Sequence, residues 1–245
     1  MMPNLMTLQS KGCLFSIDTP LYCIYTVVMK KALTTIVILL LFAFSIQAVP
    51  LNDRSEVNSF DRNIMFPYSS SLDKGADIMN YGLLLTPALL SIGRDTDDIV
   101  TLGVMYAETF IGTYATKEIL KTVVDRPRPY TYFEGAPEED IEDWNNSFPS
   151  GHTALSFASA GFISYVFSAY YPESSWRIPV TIAAYSAAAA TSVLRILGGN
   201  HFMSDVLAGA AIGTLWGVGI PMLHTLGDNV KMGATPFALA FSLSF

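Results

Sequence analysis

Three short polar segments interrupt an otherwise apolar chain, and together they hold the residue types that phosphoryl transfer requires. They contain fixed cations, two imidazoles, a hydroxyl group and a carboxylate: Lys121, Arg128, Ser150, Gly151, His152, Arg195, His201 and Asp205. Catalysis of phosphoryl transfer consists largely of holding the charge on the phosphate oxygens while that charge redistributes. The set therefore predicts a phosphatase, in which cations bind phosphate, one imidazole attacks phosphorus and the other protonates the leaving group.

The first two segments are predicted to bind the phosphoryl group. Lys121 and Arg128 are seven residues apart, about two helical turns, so both can lie on one face of a helix end. The alternative is that they are basic residues reaching from a helix end to the membrane surface. Ser150 and Gly151 precede a helix expected to begin near Thr153, and the free backbone N–H groups of such a helix start attract anions.

In the third segment, His201 and Asp205 are four positions apart. In a helix this spacing would stack them on one face, so that the carboxylate holds one ring N–H and the other ring nitrogen is free to attack phosphorus. The alternative role of Asp205 is an N-cap for a helix that begins at Val206, and the two roles are compatible.

The composition favours a membrane protein. Hydrophobic residues make up 51% of the chain and charged residues 14%, and the mean hydropathy is +0.39, which leaves little charge for a soluble surface. The net charge of −7 argues against nucleic-acid binding. The alternative is a soluble helical core with unusually apolar helices. An acidic run between residues 134 and 143 is expected to form a solvated loop, since it lacks the spacing of a calcium site.

We predict an all-α helical bundle with six membrane-spanning helices, counting an N-terminal apolar segment. Small residues recur in the apolar stretches and would let the helices pack closely in lipid. If Lys30 and Lys31 stay in the cytoplasm, the alternation of spans places all three polar segments on the opposite side. Five apolar stretches follow the N-terminal segment, and most of them are near the length that crosses a bilayer, although the first is short: Ile78 to Gly93, Ile99 to Thr116, Thr153 to Pro172, Ile178 to Leu194, and Val206 to Leu223.

The predicted organisation has five parts. Residues 29–51 have a basic start and an apolar middle, and are either a signal peptide or the first membrane span. Residues 1–28 form an upstream extension of doubtful status, and residues 52–77 a polar loop or surface helix. A phosphatase helical domain is expected over residues 78–228. In the tail, residues 229–245, the segment from Phe237 to Phe245 alternates large and small side chains, which suits a strand, and we expect the tail to pack on the domain or on a partner.

The ordered motifs resemble those of the type-2 phosphatidic acid phosphatase superfamily, which includes lipid phosphatases, class A acid phosphatases and vanadium haloperoxidases. The three motifs here are Lys121-x6-Arg128-Pro129, then Pro149-Ser150-Gly151-His152, then Arg195-x5-His201-x3-Asp205. The resemblance implies that His201 is the nucleophile and forms a phosphohistidine, that Asp205 orients it and that His152 protonates the leaving group. The remaining motif residues would bind phosphate: Lys121, Arg128, Ser150, Gly151 and Arg195. No metal or cofactor is implied.

One position departs from the family pattern: Leu194 stands where a Ser is usual, which removes one hydroxyl contact and is expected to tune the site. The leading prediction is a phosphatase of the bacterial inner membrane that acts on a lipid phosphate or pyrophosphate at the periplasmic face. The first alternative is a secreted, soluble class A-type acid phosphatase in the periplasm. Further alternatives are a vanadium haloperoxidase and a non-enzymatic membrane protein with several spans. The lipid itself and the oligomeric state are left open.

Overall fold

The structure is a computed structural model that describes residues 53–137, 143–225, 230–235 and 238–243. The chain divides into two compact units, Met1–Leu41 and Phe42–Phe245, and every described residue belongs to the second. The predicted extension and leader, residues 1–51, lie outside the described residues. The six α-helices of the described part are α1 (Ser59–Arg62), α2 (Ser70–Leu85), α3 (Thr96–Val124), α4 (Gly151–Tyr170), α5 (Arg177–Leu197) and α6 (Met203–Thr225).

Short elements join or follow these helices. Three 3₁₀ turns span Arg54–Glu56, Thr86–Ser91 and Pro129–Tyr132. In the tail, β1 (Val230–Thr235) pairs antiparallel with β2 (Ala238–Leu243), and Val230 lies opposite Leu243. The alternating pattern of the tail therefore coincides with a strand, and the helical bundle that precedes it confirms the predicted fold class.

Helix α4 lies at the centre of the bundle. It packs against α6 and α5 and also contacts α2 and α3, while α3 packs on α6 and α2 on α5. The α4–α6 contact is the closest, because α6 presents Gly209, Gly213 and Gly217 to the backbone of α4. A Cβ atom at Gly209 would lie 2.6 Å from the Ser150 carbonyl oxygen, and Cβ atoms at the other two glycines would overlap backbone atoms of α4. Close backbone approach at small residues is typical of helices that pack in lipid.

Large apolar side chains face outward along the bundle, whereas small and polar side chains fill its interior. Ile78, Leu85 and Ile92 are more than 70% exposed, and Ile111 is 64% exposed near the middle of α3. Several buried hydroxyl groups donate to a carbonyl of their own helix, as where Thr113 donates to the Thr109 carbonyl at 2.7 Å. This is the distribution expected of a surface covered by lipid.

Two of the described helices are long and apolar enough to cross a membrane, Arg177–Leu197 and Met203–His224. The predicted stretch from Ile78 to Gly93 differs from a single span. It forms the end of α2 and then a 3₁₀ turn with Pro87 near its start, because proline cannot continue the helical hydrogen bonding.

Helix boundaries also differ from the prediction in ways that matter for the site. Helix α2 begins at Ser70, so the boundary expected between residues 77 and 78 falls inside it. Helix α3 extends to Val124 and thereby carries Lys121. It ends at Asp125, whose φ of 45° is the left-handed conformation that closes many helices, and Pro127 follows.

Candidate active site

His201 lies in the connection between α5 and α6, and its side chain is 1% exposed. Its Nδ1 atom is 2.7 Å from the carbonyl oxygen of Ser147. A carbonyl can only accept, so Nδ1 carries the proton and donates it, and Nε2 keeps its lone pair. Nε2 faces the Nη1 atom of Arg128 at 3.4 Å. The unprotonated nitrogen therefore points toward a predicted phosphate-binding cation.

The surroundings of His201 keep its ring neutral. Burial lowers the pKa of the imidazole well below its usual value, and the positive charges of Arg128, Arg195 and Lys121 lower it further. A neutral ring is the form that can attack phosphorus, because a protonated nitrogen has no lone pair.

Asp205 does not hold the ring directly. Its Oδ2 atom is 3.9 Å from Nδ1 of His201, beyond hydrogen-bond reach. The stacking predicted from the four-residue spacing fails because α6 begins at Met203, so His201 precedes the helix. Asp205 instead accepts hydrogen bonds from the Ser147 hydroxyl at 2.5 Å and the Phe202 backbone N–H at 2.8 Å. It thus contacts Ser147, whose carbonyl oxygen accepts from His201, and caps the start of α6.

A buried ionic cluster anchors this arrangement. Arg126 pairs with Asp205 and, at 2.8 Å, with Asp61 of α1; both carboxylates are fully buried. Ser204 donates to Asp61 from both its backbone N–H and its hydroxyl, at 3.0 and 2.6 Å. Burial alone would raise the pKa of Asp61, but the Arg126 guanidinium and the Ser204 hydrogen bond hold that pKa below its usual value. Sequence reasoning missed Asp61, which lies in the segment predicted to be a polar loop.

Two predicted phosphate-binding arginines converge beside His201, and each is paired with a carboxylate. Arg128 contacts the Asp143 side chain, and its Nε donates to the Asp143 carbonyl oxygen at 2.9 Å. Arg195, near the end of α5, contacts Asp73 of α2. The two carboxylates lie in segments that the sequence analysis expected to be solvated or at the surface.

The predicted phosphate-binding loop lies at the start of α4. Ser150 is the N-cap residue, and its backbone N–H donates to the Asp205 carbonyl oxygen at 3.0 Å. A Cβ atom at Gly151 would lie 3.0 Å from Cδ of Lys117, so glycine lets this buried lysine approach the loop. Lys117 is one turn before Lys121 on α3, and its position was not predicted from the motifs.

Two buried polar atoms have no internal partner, and both belong to the predicted phosphate-binding residues. Among the buried side-chain nitrogen and oxygen atoms of the described residues, Ser150 Oγ and Arg195 Nε are the ones without a hydrogen bond. Leaving a buried polar group unpaired costs roughly 1–3 kcal/mol, so such groups usually have a ligand or water partner. Both atoms are thus available to a bound ligand or a water molecule.

His152 follows this loop in the first turn of α4 and is 27% exposed. Its Nε2 atom is 2.7 Å from Oδ1 of Asp77 on α2. Arg195, Arg128 and Lys121 all act electrostatically on its ring, as the ring does on His201. The structure therefore brings the two predicted imidazoles and the predicted cations into one neighbourhood. No group of three or more His, Cys, Asp or Glu suited to a metal occurs among the described residues.

Comparison with known proteins agrees with these motifs. Residues 102–226 match the profile of the PAP2 superfamily, about half of the chain, and the chain belongs to that family. The predicted resemblance is confirmed. A structure of a transmembrane PAP2-type phosphatidylglycerolphosphate phosphatase from Bacillus subtilis covers 80% of this chain with a TM-score of 0.58. The match covers 96% of that protein at 21% sequence identity, and it therefore shows a shared fold.

Two curated relatives are lipid phosphatases by name. A lipid A 1-phosphatase from Porphyromonas gingivalis is 43% identical over 72 residues, which cover 29% of this chain and 15% of that protein. A probable diacylglycerol pyrophosphate phosphatase 1 from Schizosaccharomyces pombe is 28% identical over 137 residues, or 46% of this chain and 48% of that protein. The matched regions thus span less than half the length of either relative.

Proposed function

We propose that this protein is a membrane phosphatase that hydrolyses a lipid phosphate or pyrophosphate through a phosphohistidine on His201. The observation that carries the proposal is the pair of buried atoms without partners, Ser150 Oγ and Arg195 Nε, in a site where Arg195 also acts electrostatically on the neutral ring of His201. A bound phosphate would supply acceptor oxygens to these donors, and the unprotonated nitrogen of His201 would be available to attack phosphorus.

The proposed reaction has two steps. His201 Nε2 attacks phosphorus, the bond from phosphorus to the lipid oxygen breaks, and His152 gives its proton to that oxygen. Water then attacks the phosphohistidine while His152 accepts a proton from it, which releases phosphate and restores both rings. Arg128 and Arg195 offset the charge on the phosphate oxygens in each step.

Lipid is the substrate class that the outer surface favours. Large apolar side chains are exposed along α2 and α3, which supports a lipid-embedded protein over the soluble, secreted alternative. The names of the two relatives also support a phosphorylated lipid. The proposed site is at the end of the bundle opposite the Arg94 and Arg177 turns, which supports a periplasmic active site under the positive-inside rule.

The first test compares His201→Ala with the wild type on ³²P-labelled phosphatidic acid. We expect the variant to lose phosphate release by at least about 1,000-fold and to form no labelled protein, because nucleophile removal abolishes the covalent step. The wild type should give a label that is stable in base and lost in acid. His224→Ala is the matched control, since this third histidine pairs with Glu108 near the far end of α6. Unchanged release by His201→Ala would refute the mechanism.

Location is tested separately. Carbonate washing should leave the protein in the membrane fraction, whereas a soluble periplasmic phosphatase would be released. Intact spheroplasts should hydrolyse a water-soluble phosphate ester that cannot cross the membrane. If hydrolysis required lysis, the active site would face the cytoplasm.

A further inference from the structure

Helix α2 brings two carboxylates to the site from outside the three motifs. Asp73 and Asp77 are four residues apart, so both lie on one face of α2. Asp73 contacts Arg195, and Asp77 Oδ1 is 2.7 Å from Nε2 of His152. The Asp77 contact is the one that reaches a group with a proposed proton-transfer role.

His152 is surrounded mainly by positive charge. Arg195 of α5, Lys121 of α3 and Arg128 of the following loop act on its ring, and His201 lies nearby. Burial lowers the pKa of the His152 ring and these cations lower it further, yet a general acid must carry a proton that it can give away. The negative groups on the other side are Asp73 and Asp77, and Asp77 touches the ring itself.

We propose that Asp77 is a positioning residue for His152 and holds it as the general acid of the reaction. The carboxylate accepts the Nε2–H and stabilises the imidazolium, so that the Nδ1–H is the proton that passes to the leaving oxygen. When the bond from phosphorus to that oxygen breaks, the ring becomes neutral and keeps its Nε2–H on Asp77. This inference rests on the proposed phosphatase function.

A general acid held by a carboxylate in this way predicts an effect of substitution that depends on the leaving group. An alkoxide from a lipid phosphate is a strong base and needs the proton. A p-nitrophenolate ion is a weak base and leaves without it. Loss of the acid should therefore slow lipid phosphate hydrolysis far more than p-nitrophenyl phosphate hydrolysis, whereas misfolding or weaker phosphate binding would slow both.

The experiment compares Asp77→Asn with wild type on phosphatidic acid and on p-nitrophenyl phosphate in the same detergent. We expect kcat to fall about 100-fold on phosphatidic acid and less than about 3-fold on the aryl ester, the usual scale for a lost general acid. The alkaline limb of kcat against pH for phosphatidic acid should move to lower pH by about one unit, because the imidazolium loses its carboxylate. Asp77→Glu, which restores a carboxylate, should recover part of the rate.

The ratio of the two losses decides the outcome, because it does not depend on how much protein is folded. A ratio below about ten would overturn the role of Asp77, whether both rates fall or neither does. Asp97→Asn is the matched control, since Asp97 is exposed at the opposite end of the bundle and should leave both rates unchanged. The mechanism itself is tested by His201→Ala. If His201→Ala is inactive and Asp77→Asn hydrolyses phosphatidic acid at the wild-type rate, the role of Asp77 is rejected and the proposed phosphatase function stands.

Discussion

A backbone carbonyl, and not a carboxylate, fixes the proton on the proposed nucleophile. The Ser147 carbonyl accepts from His201 Nδ1, while the charge of Asp205 is offset by Arg126. The carbonyl therefore selects the tautomer without adding a negative charge next to the phosphate-binding cations. The Asp205 carboxylate reaches the ring only indirectly, because it accepts from the Ser147 hydroxyl while the Ser147 carbonyl accepts from the ring.

The buried ring of His201 should resist protonation. Burial and the neighbouring cations lower its pKa well below the usual value, so we expect its ring ¹⁵N signals to stay those of a neutral imidazole from pH 8 to about pH 5. An ordinary histidine would titrate near pH 6.5 in that range. The measurement is NMR of ¹⁵N-histidine-labelled protein, with His201→Gln used to assign the signal.

The same shift has a consequence for stability. The unfolded chain takes up a proton on this histidine below about pH 6.5, while the folded protein does not. The free energy of unfolding should therefore fall as the pH is lowered from about 6.5 toward the depressed pKa of His201. If the contribution of His201 to the free energy of unfolding increased as the pH was lowered, the buried ring could not be neutral.

At the scale of the elements, the motifs could be predicted and their partners could not. The spacing of the motifs identified Lys121, His152 and His201, because each role depends on residue type and local sequence. Asp61 contacts Ser204, 143 residues later in the sequence, and Asp77 contacts His152, 75 residues later. Both contacts form only when α1 and α2 pack on the bundle. A single sequence gives no register for such docking. The four-residue spacing of Asp73 and Asp77 was visible, but their cationic partners were not.

The glycine contacts between α4 and α6 give a prediction at this scale. A Cβ atom in Gly213→Ala would overlap the Ala154 carbonyl oxygen and lie 2.8 Å from the Ala158 backbone nitrogen, so the helices must separate. We expect a loss of about 1–3 kcal/mol in stability, seen as a lower temperature of thermal inactivation. Activity should also fall, because the start of α4 carries the proposed phosphate-binding loop.

Gly219→Ala in the same helix is the matched control. A Cβ atom there meets nothing within 4 Å. Alanine is the better helix former by about 1 kcal/mol, so this variant should be as stable as the wild type or slightly more so. Equal losses at both positions would show that the helix, and not the α4–α6 contact, is sensitive to the change.

For the molecule as a whole, the exposed apolar surface predicts positions at which a charged side chain would impair membrane insertion. Ile111 is 64% exposed near the middle of α3, so Ile111→Arg would place a charge against lipid. A charge at the centre of a membrane helix costs about 2.5–3.5 kcal/mol on insertion scales. We expect a clear loss of protein from the membrane fraction, measured by quantitative blotting. Glu173→Arg, in the exposed turn between α4 and α5, should insert normally; equal yields would instead point to a solvated α3.

The backbone contact along α4 and α6 also bears on how turnover proceeds. His152 lies in the first turn of α4 and His201 just before α6, and the backbones of these two helices are in close contact at Gly209, Gly213 and Gly217. We expect this packing to fix the separation of the two rings before a substrate binds. Movement that admits a substrate is then expected in α2 and α3, the helices that carry Asp77 and Lys121.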